Sequence, residues 1–61
     1  MKYSEFKRWL ERQGVQFVRN GKGSHMMLYY NGKKSVFPSH GAKEMKEGTR
    51  LGILKDLGLK S

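Results

Sequence analysis

SHMMLYYNGKKSVF, residues 24–37, contains the dipeptide Asn31-Gly32 between two apolar segments. Asn-Gly between such segments is the strongest short-range signal for a β-hairpin with a two-residue turn. Residues 24–30 and 33–37 are therefore predicted to form two antiparallel strands, the second and third of the chain.

A two-residue turn also fixes the pairing, with Tyr30 opposite Lys33 and Leu28 opposite Ser35. Successive strand residues point to opposite faces, so the hairpin has two distinct faces. The face predicted to contact the core carries Met26, Leu28, Tyr30 and Phe37. The other face carries His25, Met27, Tyr29, Lys34 and Val36.

Upstream of the hairpin, residues 4–13 are predicted to form a helix. Ser4 is a suitable N-terminal cap, and Gly14 is a natural stop. The apolar residues recur with helical spacing on one side of this segment: Phe6, Trp9 and Leu10. Residues 15–19 suit a first strand because they carry valine and phenylalanine.

Downstream of the hairpin, residues 38–48 are expected to form a loop with a short turn at residues 44–46. Thr49 is expected to cap a final helix that ends before Gly58. The apolar residues of that helix are Leu51, Ile53, Leu54 and Leu57.

The predicted element order is α-β-β-β-α, which places the chain in the α+β class. A three-stranded antiparallel meander with both helices on one face buries one apolar face of every element. The 61 residues predict a single domain, residues 1–61, and the absence of cysteine excludes a disulfide. One compact apolar cluster must therefore hold the fold.

The charge of the chain favours a polyanionic partner. Thirteen Lys and Arg residues against five acidic ones give a net charge of +8 and a pI near 10.1. This partner is either a nucleic acid or an acidic protein. The alternative is that the charge has no partner and serves solubility alone. A membrane surface fits less well because the basic residues are scattered. No apolar run approaches the roughly 20 residues of a membrane span, and no signal peptide is evident, so a cytoplasmic location is predicted.

Two histidines, His25 and His40, are the candidates for proton transfer, because imidazole gains and loses a proton near neutral pH. In the predicted hairpin His25 lies opposite Pro38, so the two histidines are expected to approach one another at one sheet edge. RNA cleavage uses such groups to move protons, and cations to stabilise the phosphoryl oxygens. The lysines expected near His25 are Lys22, Lys33, Lys34 and Lys43. Tyr29 and Tyr30 are candidates for stacking on a base, and the alternative for one or both is a place in the core or on the sheet surface.

Other interpretations of these residues are weaker but remain open. A histidine at the start of a strand is often an ordinary surface residue. Ser24 and His25 are adjacent on a strand and point to opposite faces, so they are unsuited to a nucleophile–base pair. A metal site formed by His25, His40 and Glu44 has no recognised ligand spacing, and no metal is expected.

The order and spacing of short motifs along nearly the whole chain resemble the HicA toxin family. These motifs are Gln13-Gly14 at the end of a helix, Gly23-Ser24-His25 at the start of a strand, the Gly32 hairpin, Pro38-Ser39-His40 followed by Lys43-Glu44, Gly48-Thr49, and the tail Ile53-Leu54-Lys55 to Leu57-Gly58. Gly-Ser-His alone is a weak signal, and the combination in so short a chain is what makes the resemblance specific.

The resemblance implies a fold like a small double-stranded-RNA-binding domain and a toxin that cleaves mRNA without a cofactor. It implies that His25 is catalytic and that a HicB-type antitoxin covers it. His40 matches the family's Pro-x-His element, and Ser24 and His40 are candidates for supporting roles. The residues themselves leave two alternatives: a non-catalytic double-stranded-RNA-binding module, or a protein that only docks an acidic partner.

Overall fold

The computed structural model describes residues 1–19 and 25–60. Within these ranges the chain forms two helices and three strands in the predicted order. The elements are α1 (Tyr3–Arg12), β1 (Gln16–Arg19), β2 (His25–Tyr30), β3 (Lys33–Pro38) and α2 (Glu47–Leu57). Neither helix is long and apolar enough to cross a membrane. The α-β-β-β-α prediction is confirmed.

The hairpin of β2 and β3 has the predicted register, with Tyr30 paired to Lys33 and Leu28 to Ser35. Asn31 and Gly32 have φ angles of 51° and 80°, the left-handed conformation that a two-residue turn of this type requires. The hairpin places β2 in the middle of the sheet, whose order is β1-β2-β3, with β1 antiparallel to β2.

The core lies on one face of the sheet, against both helices. Leu28 and Phe37 are almost fully buried there, and Met26 and Tyr30 pack at its edge. The buried residues from the helices and loops are Phe6, Leu10, Val15, Met45, Ile53, Leu54 and Leu57. The predicted core face of the hairpin and the placement of both helices on that face are confirmed.

α1 begins one residue earlier than predicted, with Lys2 rather than Ser4 at the N-cap. The Glu5 carboxylate accepts a hydrogen bond from the Lys2 backbone N–H at 2.7 Å. The Tyr3 and Ser4 N–H groups donate to the carbonyls of Lys43 and Gly41, each at 3.0 Å. The downstream loop therefore satisfies donors that a serine cap serves in an isolated helix, so the Ser4 prediction was wrong.

α2 also begins earlier than predicted, at Glu47 with Lys46 as its N-cap, so Thr49 lies within its first turn. In the sequence, Gly48 indicates a loop. In the structure, Arg50 N–H donates a hydrogen bond to the Lys46 carbonyl at 3.1 Å and closes the first turn of α2. The buried Met45 anchors the chain just before it. The turn expected at residues 44–46 is replaced by a single β-bridge between Glu44 and Lys2.

β3 extends one residue beyond the predicted end and includes Pro38. β3 is an edge strand of the sheet. Pro38 has no backbone N–H to donate. On an edge strand this position can face away from β2, so the hydrogen bonds between β2 and β3 are kept. In the register His25 pairs with Pro38, as the sequence predicts.

Gly58 ends α2 in the left-handed conformation, with φ of 70°, and a Cβ at this position would lie 2.6 Å from Lys33 Nζ. Gly58→Ala is expected to lower the free energy of unfolding by about 1–2 kcal/mol, since an alanine there is strained. Urea unfolding followed by circular dichroism measures the change.

The matched control is Gly52→Ala, inside α2, where a Cβ would meet nothing within 4 Å. Alanine is favoured over glycine within a helix by about 0.5–1 kcal/mol, so this variant is expected to be more stable. Equal effects of the two substitutions, with the same sign, would contradict the left-handed C-cap.

Candidate active site

His25 is the first residue of β2 and its side chain is exposed. Leu28, three residues along the same strand, is buried in the core. Because side chains alternate along a strand, His25 projects from the opposite face, which neither helix covers. An approaching polynucleotide therefore has access to the imidazole.

The face that carries His25 is called here the helix-free face, and it consists of three rows of residues across the sheet. Two rows cross all three strands, and the third joins β2 and β3. The rows are Gln16–Tyr29–Lys34, Val18–Met27–Val36 and His25–Pro38. Its middle is apolar and open, since Val18 and Val36 are each 46% exposed.

Charge is distributed unevenly between the two sides of the molecule. All five acidic residues lie on the helices or in the loop between β3 and α2: Glu5, Glu11, Glu44, Glu47 and Asp56. The described strands carry basic residues and no carboxylate. Asp56 accepts a hydrogen bond from Ser35 Oγ at 2.9 Å, and it lines a pocket at the β3 edge together with Lys34 and Val36. Lys34 is the one lysine or arginine in the three rows of the helix-free face, so an anionic ligand on this face is expected to bind beside it.

A groove of about 560 Å³ lies at the hairpin end of this face. Residues of the helix-free face, the turn and the core-facing side all line it: Gly14, Gln16, Tyr29, Tyr30, Asn31, Gly32, Lys33 and Lys34. No sequence motif marks Gln16, and Asn31 draws notice only as a turn residue. The signal that could have found Gln16 is the register, because it places Gln16 beside Tyr29.

The lysines predicted to surround His25 are distributed over different parts of the molecule. Lys34 shares the helix-free face with His25. Lys33 pairs with the partly buried Tyr30, and its amino group lies beside Gly58 at the end of α2, on the helical side. Lys43 is exposed in the loop after β3. Lys22 and Ser24 lie outside the described residues.

His40 packs on the helical side of the sheet. Its ring lies edge-on to Tyr3 with centroids 4.9 Å apart, and Tyr3 in turn meets Phe37 of the core at 6.1 Å. The His40 ring is therefore directed toward α1, and among the described residues no ring contact joins it to His25. His40 is itself exposed, and the contact with Tyr3 is the packing interaction that the structure gives its ring.

In residues 1–19 and 25–60, no three His, Asp or Glu side chains come together as a metal-binding group. The alternative of His25, His40 and Glu44 as ligands is not assembled there. Glu44 instead forms an ion pair with the N-terminal ammonium of Met1. The arrangement at His25 is that of an exposed imidazole on a face with an apolar middle and one lysine, Lys34. An exposed imidazole is suited to proton transfer at a bound anion.

Comparison with known proteins gives one consistent result. The family model described as HicA toxin of bacterial toxin-antitoxin matches residues 3–59. A probable mRNA interferase HicA of Pseudomonas fluorescens (strain Pf0-1) is 65% identical over 60 residues, which cover 98% of each chain. A probable mRNA interferase toxin HicA of Escherichia coli (strain K12) is 54% identical over 59 residues, covering 97% of this chain and 98% of that protein.

A solved structure is also similar over the full fold. The crystal structure of the E. coli HicAB toxin-antitoxin complex contains a chain that matches with a TM-score of 0.86 and 47% identity. The match covers 97% of this chain and 100% of that chain. This chain therefore belongs to the HicA toxin family of bacterial toxin–antitoxin systems.

Proposed function

We propose that this chain is a cytoplasmic endoribonuclease toxin that cleaves mRNA, and so stops translation and growth, with His25 as its catalytic residue. Membership of a family whose similar relatives are named mRNA interferases supports the reaction. The observation that carries the site is the exposed His25 on the helix-free face, which it shares with Lys34 and with no carboxylate of the described strands.

The chemistry is a transesterification within the RNA backbone. The 2′-oxygen attacks the adjacent phosphorus, the bond from phosphorus to the 5′-oxygen breaks, and the 2′-proton is lost while the departing oxygen gains one. His25 accepts or donates one of these protons, and water takes up or supplies the other. The products are a 2′,3′-cyclic phosphate, which water opens to a 3′-phosphate, and a 5′-hydroxyl. The chain's own imidazole supplies this step, so the reaction is proposed to be independent of metal.

Cationic side chains hold the substrate in this proposal. Lys34 is the best placed of the described lysines because it shares the face of His25. Lys43 is exposed and free to contact a more distant phosphate, while Lys33 is better suited to the end of α2. Lys22 and Ser24, which precede His25, stay predictions.

A HicB-type antitoxin is the proposed protein partner. The solved structure that matches this chain is a HicAB toxin-antitoxin complex, and the match extends over 97% of this chain. An antitoxin that covers His25 prevents RNA from reaching the imidazole. Its surface is expected to be acidic where it meets this chain, whose net charge is +8.

The test is incubation of the purified chain with end-labelled mRNA in the presence of EDTA. We expect cleavage products with cyclic phosphate or 3′-phosphate ends and 5′-hydroxyl ends, and inhibition by the antitoxin. The control substrate has a 2′-deoxyribose at a mapped cleavage site, and it should stay intact there.

Two outcomes would favour the other functions. Binding of RNA without cleavage, by a preparation shown to be folded and free of antitoxin, would support a non-catalytic RNA-binding module. Absence of RNA binding even at low salt would support a protein that only docks an acidic partner, since contacts to several phosphates give strong binding under those conditions.

A further inference from the structure

We propose that the helix-free face binds single-stranded RNA, and that the groove at its hairpin end holds one unpaired base against Tyr29, with a neighbouring phosphate on Lys34. This inference rests on the proposed ribonuclease function and specifies the form of its substrate. It also adds a binding subsite that is separate from the catalytic position.

The first evidence is the position of the Tyr29 ring. Gln16, Tyr29 and Lys34 form one row across the three strands. Tyr29 is 42% exposed, whereas the adjacent Tyr30 packs against the core. An exposed aromatic ring beside a lysine is the arrangement on which unpaired bases stack while a cation contacts the backbone.

The groove supplies the polar groups that a stacked base needs. Gln16 and Asn31, which carry amide side chains, line its volume of about 560 Å³ together with Tyr29 and Lys34. Gly14, Tyr30, Gly32 and Lys33 complete the lining. An amide side chain both donates and accepts hydrogen bonds, so it can contact the edge of any base. A ligand with an aromatic face, polar edges and an attached anion matches this lining.

The groove and the catalytic position are joined by one continuous surface. His25 and Tyr29 are four residues apart on β2, a separation of about 13 Å along the strand. Between them lies the apolar row with Met27 and Val36, which suits the less polar faces of ribose and base. The base on Tyr29 therefore belongs to a nucleotide near the scissile bond, but not adjacent to it.

An unpaired strand fits this surface better than a duplex does. In A-form RNA the bases are stacked on each other and their faces are inaccessible to Tyr29. Double-stranded-RNA-binding domains span about 16 base pairs, whereas the longest dimension of this molecule is 27 Å. An unpaired strand also lets the 2′-oxygen move in line with the departing 5′-oxygen, as the proposed reaction requires.

The experiment measures binding of the full chain to fluorescent 2′-O-methyl RNA, which lacks the nucleophile and stays intact whatever the role of His25. Tyr29→Ala is expected to weaken binding about 10-fold to 100-fold, and Tyr29→Phe to keep it, because the ring provides stacking. Lys34→Gln is expected to weaken binding and to reduce its salt dependence. The duplex of the same sequence is expected to bind more weakly than the single strand.

Matched controls come from the exposed surface of α2. Leu51→Ala removes an exposed apolar side chain, and Lys55→Gln removes an exposed charge. Neither is expected to change binding more than about twofold, within the range of a screened surface charge. Circular dichroism verifies that each variant is folded.

Several results would overturn the inference. Tyr29→Ala that binds as the α2 controls do would remove the subsite, and cleavage by this variant at the wild-type rate would leave the proposed catalytic role of His25 intact. Lys34→Gln that binds as the α2 controls do would remove Lys34 from both proposals. Equal or tighter binding of the duplex would exclude an unpaired strand. Loss of antitoxin binding with RNA binding unchanged would identify the groove as a protein interface. Failure of the unaltered chain to bind or cleave RNA would overturn both proposals.

Discussion

His25→Ala is expected to lower the rate of RNA cleavage by about 10²–10⁴-fold, the contribution that a positioned proton-transfer group typically makes. The side chain is exposed at the start of β2, and no core contact depends on it. The variant is therefore expected to fold, to bind RNA and antitoxin, and to lose toxicity on induction. Single-turnover cleavage of labelled RNA and growth after induction measure the two effects.

His40→Ala is the matched control because it removes the chain's other imidazole. His40 packs against Tyr3 on the helical side, so its loss is expected to reduce stability rather than the cleavage rate of the folded protein. A folded His25→Ala protein with full cleavage activity would remove His25 from the mechanism. Loss of activity in folded His40→Ala as large as that in His25→Ala would show that the two histidines act together.

Phe37→Ala is expected to cost about 3–5 kcal/mol of stability, the usual range for deletion of a buried aromatic side chain. Phe37 is 1% exposed, and its ring meets the rings of Tyr3 and Phe17 at 6.1 and 5.5 Å. A domain of 61 residues has a total stability of about 3–9 kcal/mol, so this variant is expected to lose a third or more of it. Thermal unfolding by circular dichroism measures the loss.

Val36→Ala is the control for this effect, since Val36 is the adjacent residue of β3 and is 46% exposed on the helix-free face. It is expected to change stability by less than about 0.5 kcal/mol, as a surface substitution does. Comparable losses for the two variants would contradict the assignment of the faces. Added antitoxin is expected to raise the folded fraction of Phe37→Ala, because it binds the folded form.

The sequence predicts the sheet well because a single local signal determines it. Asn31-Gly32 requires a two-residue turn, the turn sets the register, and the register separates Leu28 and Phe37 from His25 and Tyr29. Each step follows from backbone geometry alone. The start of α1 was predicted less well because its first donors are satisfied by residues of the loop after β3.

The sequence predicts the candidate site only in part. Because side chains alternate along β3, the sequence already places Lys33 and Lys34 on opposite faces of the sheet. The position of the Lys33 amino group beside Gly58 depends on where α2 ends in space. The packing of His40 on Tyr3 depends in the same way on how the loop after β3 crosses α1. Such contacts join residues far apart in the chain, and no local pattern specifies them.

Chemical rescue is the sharpest test of whether the imidazole at position 25 moves a proton at the scissile linkage. Single-turnover cleavage by folded His25→Ala is measured as free imidazole is added at constant pH and ionic strength, with His40→Ala alongside. The predicted result is a cleavage rate that rises with imidazole concentration in His25→Ala alone, with the product ends unchanged. A His25→Ala rate equal to that of the unaltered chain and insensitive to imidazole would contradict the claim.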